Sequence, residues 1–189
     1  MFWPAAKTYA ENGHLPTDGE LVEQAAKGDM EAFHLLVDRY ASYLFALAAG
    51  LLGNQADAED VVQECLTGAF RGLHGFRQRS SVKTWLTAIL IRQTSAFRRS
   101  RSLWRRAGAL KEQAPPAPSL SPRSDSRLDV RAAIAALPEE FRQAIVLREL
   151  LGLSYEEIAQ VLDVPRGTVE SRLFRGRKLL REALKDYLP

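Results

Sequence analysis

The sequence predicts an all-α fold with two small helical domains joined by a flexible linker, the C-terminal one a helix-turn-helix. Apolar residues recur at helical spacing along most of the chain, and Ala, Leu, Arg and Glu outweigh β-branched runs. Residues 107–126 are instead rich in Pro, Ala and Ser, a composition that stays extended and mobile. We therefore expect a disordered extension over residues 1–16, a first domain over residues 17–106 and a second domain over residues 127–189.

Composition excludes several classes of protein. A single cysteine, Cys65, rules out an internal disulfide and a multi-cysteine zinc site, and three histidines leave little for any other metal. No apolar run reaches the roughly 18 residues of a membrane span, and the N-terminus lacks the basic start and apolar core of a secretory signal. We expect a cytoplasmic protein without membrane insertion, cofactor or metal.

The net charge of +3 hides a strong segregation of charge along the first domain. Between Glu11 and Glu64 the chain has 11 acidic residues and 2 basic ones, Lys27 and Arg39. Between Arg71 and Lys111 it has 11 basic residues and no acidic one. The basic block suits a polyanion, and the acidic block favours a different partner.

The first domain begins with two capped helices. Thr17–Glu20 has the spacing of a capping box, which predicts a helix that ends near Ala26. Asp29 is the expected N-cap of a second helix, from Met30 to about Leu52. Gly53 with the following Asn ends that helix, because both residue types tolerate left-handed conformations.

Two further helices complete this domain. The third is expected from Asp57 to about Leu73, with its acids near the N-terminus, where the helix dipole favours them. Cys65 lies among its apolar positions and is interpreted as a small packing residue. After a loop over residues 76–81, Ser81 is the expected cap of a fourth helix that runs from Val82 to about residue 103.

The fourth helix interleaves aromatic and basic side chains. That pattern can stack on unpaired bases while cations hold phosphates, but the same aromatics can simply form core. We expect Trp85 to lie in the core, whereas Phe76, in the loop, and Trp104, near the helix end, are expected to be exposed.

The second domain is predicted to contain four helices. One runs from Leu128 to Leu137, and Pro138 begins another that continues through Leu150 and ends at Gly152. The remaining two form the helix-turn-helix. At about 60 residues this unit is near the lower limit for independent folding.

The sharpest local signal in the chain runs from Ser154 to Leu184. Ser154 and Glu157 have capping-box spacing, apolar residues follow at helical spacing, and Pro165 suits the first turn of a second helix. Gly167 is expected to let two backbones come close. Two helices joined by a short turn, the second of them basic, form the layout in which a recognition helix enters the DNA major groove.

A plainer interpretation of this stretch is an αα-hairpin whose basic face is only solvated. The second helix has an apolar stripe, Val169, Leu173 and Leu180, with Gly176 in the same helix and basic residues on the opposite face. Because the cap, the short turn, the small residues and the basic helix coincide, we favour DNA binding.

Taken together, the two halves resemble a bacterial sigma factor of the extracytoplasmic-function type (group 4, sigma-70-like). DAEDVVQE at residues 57–64 precedes the Pro-rich linker, and LSYEEIAQVL and GTVESRLFRGR follow it within residues 153–177. The resemblance covers about residues 18–186. It implies a non-enzymatic initiation factor that binds core RNA polymerase, through the β′ clamp helices and the β flap, and recognises and melts promoter DNA.

The resemblance also implies roles for individual residues. The third helix would dock on the β′ clamp helices through Asp60, Gln63 and Glu64. The fourth helix and its loop would bind and melt the downstream (minus-ten) element, with a flipped base, through Phe76, Arg77, Lys83, Trp85, Arg92, Arg98 and Arg99. The recognition helix would read the upstream (minus-thirty-five) element through Arg166, Thr168, Glu170, Ser171, Arg172, Arg175 and Arg177.

This sequence departs from the family pattern at four of these positions or their neighbours. Arg92 replaces the usual Asn and Ala96 the frequent Asp of the melting helix, while Pro165 replaces the Ser that usually starts the recognition helix. Glu170 stands where the family is often basic, and a carboxylate accepts from cytosine N4 but repels phosphate. We expect distinctive promoter preferences at both elements.

Two other classes of protein stay open at this point. A helix-turn-helix regulator with an N-terminal helical sensing domain would bind duplex DNA alone, although it gives the basic, aromatic fourth helix no function. An enzyme acting on nucleic acid is less favoured, since no Gly-rich phosphate loop, metal-ligand cluster or nucleophile–base pair is present. The resemblance further implies a regulatory anti-sigma factor.

Overall fold

The computed structural model describes residues 16–77, 80–106 and 126–185, and this part of the chain contains eight α-helices and no β-strand. The predicted all-α fold is confirmed. The predicted N-terminal extension, apart from Pro16, and the predicted linker, apart from Ser126, lie outside the described residues.

The first domain consists of four helices and a short 3-10 turn. Their bounds are α1 Asp18–Ala26, α2 Met30–Leu52, α3 Gln55–Gly72, the 3-10 turn Leu73–Gly75 and α4 Val82–Arg106. The second domain has four helices, with a π-helical turn that continues the second of them. Their bounds are α5 Ser126–Ala136, α6 Glu139–Ile145, the π turn Val146–Leu150, α7 Tyr155–Leu162 and α8 Arg166–Ala183.

The helix starts in the first domain follow from their capping residues. Thr17 Oγ1 accepts from the backbone N–H of Glu20 at 3.3 Å, and the Glu20 carboxylate accepts from the Thr17 N–H at 2.7 Å, so the capping box is confirmed. Asp29 caps α2 as predicted. The start of α3 differs: Asn54 accepts from Ala56 N–H, and the helix begins two residues before Asp57. An amide oxygen can cap a helix as well as an acid can, which moves the boundary.

The core of the first domain lies around α2, which packs against α1, α3 and α4. Leu44 and Leu47 are fully buried there. Helix α2 is long and apolar enough to cross a membrane by length and composition, which the sequence analysis missed; here, several of its side chains belong to the core of the helical domain. Cys65 is buried as predicted, and burial raises the pKa of its thiol to about 12.

The helix-turn-helix has the predicted start and turn. Ser154 Oγ accepts from Glu157 N–H at 3.2 Å, and the Glu157 carboxylate accepts from Ser154 N–H at 2.7 Å. Helix α7 ends at Asp163, whose left-handed backbone (φ 52°, ψ 52°) turns the chain toward Pro165, the N-cap of α8. An aspartate tolerates this conformation better than most residues do.

The predicted role of Gly167 is wrong. A Cβ built on Gly167 would meet no atom within 4 Å, whereas one on Gly176 would lie 2.8 Å from Ile145 Cγ1 and 3.4 Å from Phe141 Cβ. The close approach of two helices therefore occurs further along the same helix, at Gly176, where α8 crosses α6. Position 176 is the one that requires glycine's small size.

A buried arginine holds the turn between α5 and α6. Arg142 is 1% exposed and donates through Nη1 to the carbonyl oxygens of Ala135 and Leu137, at 2.8 and 2.9 Å. These carbonyls lie in the last turn of α5 and directly after it, where helical donors are lacking. Burial, with a smaller contribution from the Arg98 charge, lowers the pKa of Arg142 to about 10.

The two domains pack directly against each other, which the sequence did not predict. Helix α2 contacts α5 and the π turn, and α4 contacts α7. At the first contact, the Cβ position of Gly50 lies 3.0 Å from Leu150 Cδ2. At the second, the basic helix of the first domain lies beside the helix-turn-helix of the second.

Candidate nucleic-acid and protein interfaces

Helix α8 presents most of its predicted contact residues to solvent. Its apolar stripe, including Val169 and Leu173, is buried in the second domain, which leaves the opposite face outward. The exposed members of the predicted set are Arg166, Glu170, Ser171, Arg175 and Arg177, and the half-buried members are Thr168 and Arg172. At 3.6 residues per turn the seven positions cover roughly two-thirds of the helix circumference, with Arg166 and Arg177 beside one edge of the buried stripe and Arg172 beside the other.

The charge of Arg166, in the first turn of α8, is neutralised by two carboxylates, one on α8 and one on α7. Arg166 donates through Nε to Glu170 Oε1 at 3.0 Å and through Nη1 to Glu156 Oε1 at 2.6 Å. Both bonds are at the surface, where an ion pair contributes only about 0.2–1 kcal/mol, so a stronger partner can displace them. Glu170 thus acts on this turn in two ways, as a charge of its own and as a ligand for Arg166.

Further along α8 the arginines differ in how they are held. Arg177 donates through Nε and Nη2 to Glu149 Oε1 at 3.0 and 2.7 Å, and this bond raises the pKa of Arg177. Arg172 is 21% exposed and lies 3.9 Å from Glu140 Oε2. Within the described residues, no acid pairs with Arg175. Arg175 can therefore bind a phosphate or a base edge without first breaking an ion pair.

Phe174 is a surface feature that the sequence analysis missed. It lies between Leu173, which is buried, and Arg175, and its own side chain is 72% exposed. An aromatic ring on a basic helix face can contact a thymine methyl or a sugar. Its position, one residue off the apolar stripe of α8, is the signal that could have revealed it.

Phe76 and Trp85 form one aromatic unit at the start of α4. Their ring centroids are 4.8 Å apart with an interplanar angle of 39°, and both side chains are half-buried against the core. The expected exposure of Phe76 is therefore wrong in degree, because the Trp85 ring covers one of its faces. The expected exposure of Trp104 is confirmed, at 58%.

The predicted basic residues of the downstream interface fall into two groups. Arg77, Lys83, Arg92 and Arg99 are exposed. Lys83 Nζ lies 4.7 Å from the ring centroid of Tyr43, a cation–π contact that orients the lysine across α2. Arg98 is instead half-buried and donates to the Leu51 carbonyl at 3.2 Å, where it satisfies the last turn of α2.

A cleft of about 620 Å³ separates part of α4 from the second domain. Arg92 and Arg99 lie on its α4 side, and Val161, Leu162 and Asp163 line the side formed by the helix-turn-helix. The other lining residues are Ala88, Ile91, Gln93, Ser95, Ala96 and Gln143. The predicted downstream interface and the end of helix α7 therefore share one cleft.

The three predicted polymerase-binding residues lie together on the outer face of α3. Asp60, Gln63 and Glu64 are exposed, while Val61 and Cys65 are buried on the opposite side of the helix. Their i, i+3 and i+4 spacing forms one continuous stripe. Among the described residues, no group of three or more His, Cys, Asp or Glu side chains could hold a metal ion.

An aromatic pair extends this stripe toward the C-terminal end of α3. Phe70 is 41% exposed and packs edge to face on Phe33, with ring centroids 5.0 Å apart. Its partial exposure adds an apolar end to an otherwise acidic and amide-bearing surface.

Two family models match this chain. Residues 36–104 match the model described as "Sigma-70 region 2", and residues 127–180 match "Sigma-70, region 4". The ECF RNA polymerase sigma-E factor of Escherichia coli (strain K12) is 41% identical, over 87% of this chain and 92% of the relative. The RNA polymerase sigma-H factor of Pseudomonas aeruginosa is 35% identical, over 90% and 95%.

Two solved structures have the same fold. CnrH in complex with the cytosolic domain of CnrY aligns with a TM-score of 0.66 and 28% identity, over 88% of this chain and 96% of CnrH. The sigma factor RpoE in complex with the anti-sigma factor NepR, from Bartonella quintana, aligns with a TM-score of 0.63 and 28% identity, over 81% and 96%. In each, the similar chain was solved with a second protein bound to it.

Proposed function

The chain belongs to the extracytoplasmic-function family of sigma-70-like sigma factors, and on that premise we propose which of its surfaces bind polymerase, promoter DNA and a regulator. It is a promoter-recognising factor of RNA polymerase that acts in transcription initiation. Its family consists of non-catalytic initiation factors. The alternative of a free-standing helix-turn-helix regulator is not favoured.

The observation that carries the assignment is the separation of charge between neighbouring helices. The outer face of α3 carries Asp60, Gln63 and Glu64, and the outward faces of α4 and α8 are basic. Phosphate repels the first surface and attracts the other two. A protein that binds both an enzyme and DNA needs such a division, since each surface then rejects the wrong partner.

The acidic stripe of α3 docks on the β′ clamp helices of core polymerase. Gln63 sits at its centre and offers both a donor and an acceptor, while Asp60 and Glu64 accept only. None of the three supports the core, so all are available to a partner. The exposed edge of Phe70 lies on the same helix and extends the contact with apolar area.

Helix α4 and the loop before it bind the downstream element. Arg92 and Arg99 hold phosphates of the separated strand, and the Phe76–Trp85 unit offers an aromatic edge to an unstacked base. Because Arg92 lacks the paired donor and acceptor of an amide, it contributes charge rather than base discrimination. Arg98 holds α4 against α2 through its hydrogen bond to the Leu51 carbonyl oxygen.

Helix α8 reads the upstream element in the major groove. Arg175 contacts DNA directly, and Arg166 does so after it leaves Glu156 and Glu170. Glu170 then accepts from a cytosine N4 or keeps Arg166 in place, and both effects shape the preferred sequence. Arg172, which is partly covered, contributes from the edge of the helix.

An anti-sigma protein regulates the chain in the cytoplasm. The similar chains CnrH and RpoE were each solved with a bound partner, CnrY or the anti-sigma factor NepR. Shared fold over most of both chains supports a comparable partner here. The exposed faces of α3 and α4 are the surfaces that such a protein has to block.

Reconstitution with core RNA polymerase tests this function. The chain is added to core polymerase with a library of promoter fragments, and run-off transcripts are sequenced. The promoters of the transcripts are expected to share two sequence blocks upstream of the start site. Arg172→Ala should weaken transcription that depends on the block farther from the start site. Failure to associate with core polymerase, together with tight dimeric binding to duplex DNA alone, would support the regulator instead.

A further inference from the structure

The cleft between α4 and the end of α7 carries opposite charges on its two walls. Arg92 and Arg99 line the α4 wall, and Asp163 lines the α7 wall. All three residues are exposed. Within the described residues, neither arginine pairs with an acid and Asp163 pairs with no basic side chain. The two walls therefore present charged groups that are free to bind a ligand placed between them.

The two arginines share one face of α4. A separation of seven residues is nearly two helical turns, which places them about 20° apart around the helix axis and roughly 10 Å apart along it. Ala96 lies between them and is exposed, so its small side chain leaves the space between the guanidinium groups open. A guanidinium binds a phosphate through paired N–H bonds. This wall fits a ligand that carries at least two phosphate groups.

The α7 wall instead favours hydrogen-bond donors. Val161 and Leu162 belong to the last turn of α7, and Asp163 is its C-cap. The last carbonyl oxygens of a helix lack helical donors, and the negative end of the helix dipole lies there. This wall repels a phosphate, whereas hydroxyl groups can donate to it. An acidic side chain is the group that binds the ribose hydroxyls in dinucleotide sites.

Gln143 adds an acceptor at the floor of the cleft. Its Nε2 donates to Ser95 Oγ at 3.0 Å and to Glu139 Oε1 at 3.1 Å, and no group in the described part of the chain donates to its Oε1. The Glu139 carboxylate does not line the cleft and is already bound by Ser95 and Gln143. The cleft volume of about 620 Å³ lies within the range of roughly 300–1,000 Å³ that is usual for small-molecule sites.

We propose that this cleft binds a nucleoside diphosphate, with Arg92 and Arg99 on the phosphates and Asp163 on the ribose hydroxyls. Inorganic phosphate lacks the donors that the α7 wall favours, and a nucleoside lacks the charge that the arginines favour. Because both arginines are also the proposed phosphate ligands for the separated promoter strand, the nucleotide and that strand compete. This competition rests on the proposed function, whereas nucleotide binding by the free chain does not.

Calorimetric titration of the full-length free chain with ADP, and separately with GDP, tests the phosphate side of the site. At least one of the two nucleotides should bind with one site per chain. Arg92→Gln and Arg99→Gln should each weaken that binding at least about tenfold, because each removes a charge-assisted contact. Arg181→Gln changes an exposed arginine of α8 outside the cleft and should bind like the unmodified chain. Melting temperatures without nucleotide verify that all three variants are folded.

A second probe, pyrophosphate, separates the ribose side from the phosphate side. Asp163→Asn removes the charge but keeps a residue that tolerates the left-handed backbone of this position. It should weaken binding of the nucleotide roughly three- to tenfold, since a hydrogen bond to a charged group is lost. Pyrophosphate binding should be unchanged or tighter in this variant, whereas Arg99→Gln should weaken binding of both probes.

Three results would overturn the nucleotide site. They are no binding of ADP or GDP at millimolar concentration, equal losses in Arg181→Gln and Arg99→Gln, and equal losses of nucleotide and pyrophosphate in Asp163→Asn. The second would indicate a general attraction of basic helices for polyanions. Saturating nucleotide should also weaken binding of a single-stranded downstream oligonucleotide. If the nucleotide binds as expected and the oligonucleotide is unaffected, the assignment of α4 to the downstream element fails while the nucleotide site stands.

Discussion

Gly176 lies so close to Ile145 that a Cβ at position 176 would be 2.8 Å from Ile145 Cγ1. This is the point where α8 crosses α6, and it sets the position of the recognition helix. Interatomic distances below about 3.5 Å between carbon atoms are repulsive. The small size of one residue therefore decides how far the basic face stands from its own domain.

Gly176→Ala should destabilise the protein by about 1–2 kcal/mol, because overpacking outweighs the gain in helix propensity. Thermal unfolding followed by circular dichroism measures it. Gly167→Ala is the matched control: position 167 lies in the same helix and has open space around its Cβ. That control should be neutral or more stable by about 0.5–1 kcal/mol. Equal effects of the two changes would contradict the close approach at position 176.

Arg142→Ala should cost roughly 3–5 kcal/mol, since it leaves a cavity and two carbonyl oxygens, of Ala135 and Leu137, without donors. Chemical denaturation measures the loss. Arg131→Ala, at an exposed position of α5, serves as the control and should change stability little. A small effect of the Arg142 change would show that water replaces the guanidinium.

The capping box of α7 should make stability depend on pH. Hydrogen bonds from Ser154, and the nearby Lys83, lower the pKa of Glu157 in the folded state. A lowered pKa contributes stability above the unfolded pKa, near 4.5, and this contribution is lost as pH falls through the folded value.

Glu157→Gln keeps a capping acceptor but cannot ionise, so it isolates that contribution. The melting temperature of the variant should be lower than that of the unmodified chain at about pH 6, and the two should converge at about pH 3. Parallel curves across this range would mean that the Glu157 charge has no net effect.

Gln63→Ala and Glu64→Ala should weaken binding to core polymerase at least about tenfold as a pair, because both side chains lie on the proposed docking stripe. Fluorescence-monitored titration with core polymerase measures this. Asp38→Ala removes an exposed acid from α2 rather than α3 and should bind normally. All three variants should keep their melting temperatures. Unchanged affinity in the Gln63 and Glu64 variants would refute the docking surface.

Arg175→Ala should weaken upstream-element binding by about 1–3 kcal/mol, whereas Arg177→Ala should cost less. The reason is that Arg177 exchanges a bond to Glu149 for a bond to DNA, and Arg175 gives up no such partner within the described residues. Binding of specific and random duplexes is compared at one salt concentration. Equal losses on both duplexes would assign Arg175 to phosphate.

Local signals predicted local structure well. The capping boxes at Thr17 and Ser154 and the cap at Ser81 are confirmed, since each depends on residues three apart. Errors arose where two cappers compete, as at Asn54, or where a distant surface decides, as for Gly176 against Gly167. Nothing in the spacing of α4 indicates that Ser95 bonds to Glu139, 44 positions away.

In the candidate site, too, some features could be predicted from the sequence and others depend on contacts between distant residues. The family resemblance assigned Asp60, Gln63 and Glu64 to one surface, and in the structure all three are exposed on the outer face of α3. It could not separate Arg98, which supports Leu51, from Arg99, which is exposed, because adjacent arginines look alike in sequence. Pairing of arginines with Glu149 or Glu156 likewise depends on how α8 lies on its neighbours.

The contact of the π turn with Gly50 has an evolutionary consequence. Residues on that side of α2 and α4 contact the chain's own second domain. Helix α4 is also the proposed surface for promoter DNA. Substitutions there must suit both, so drift should be slower on that side than on the outer surface of α1.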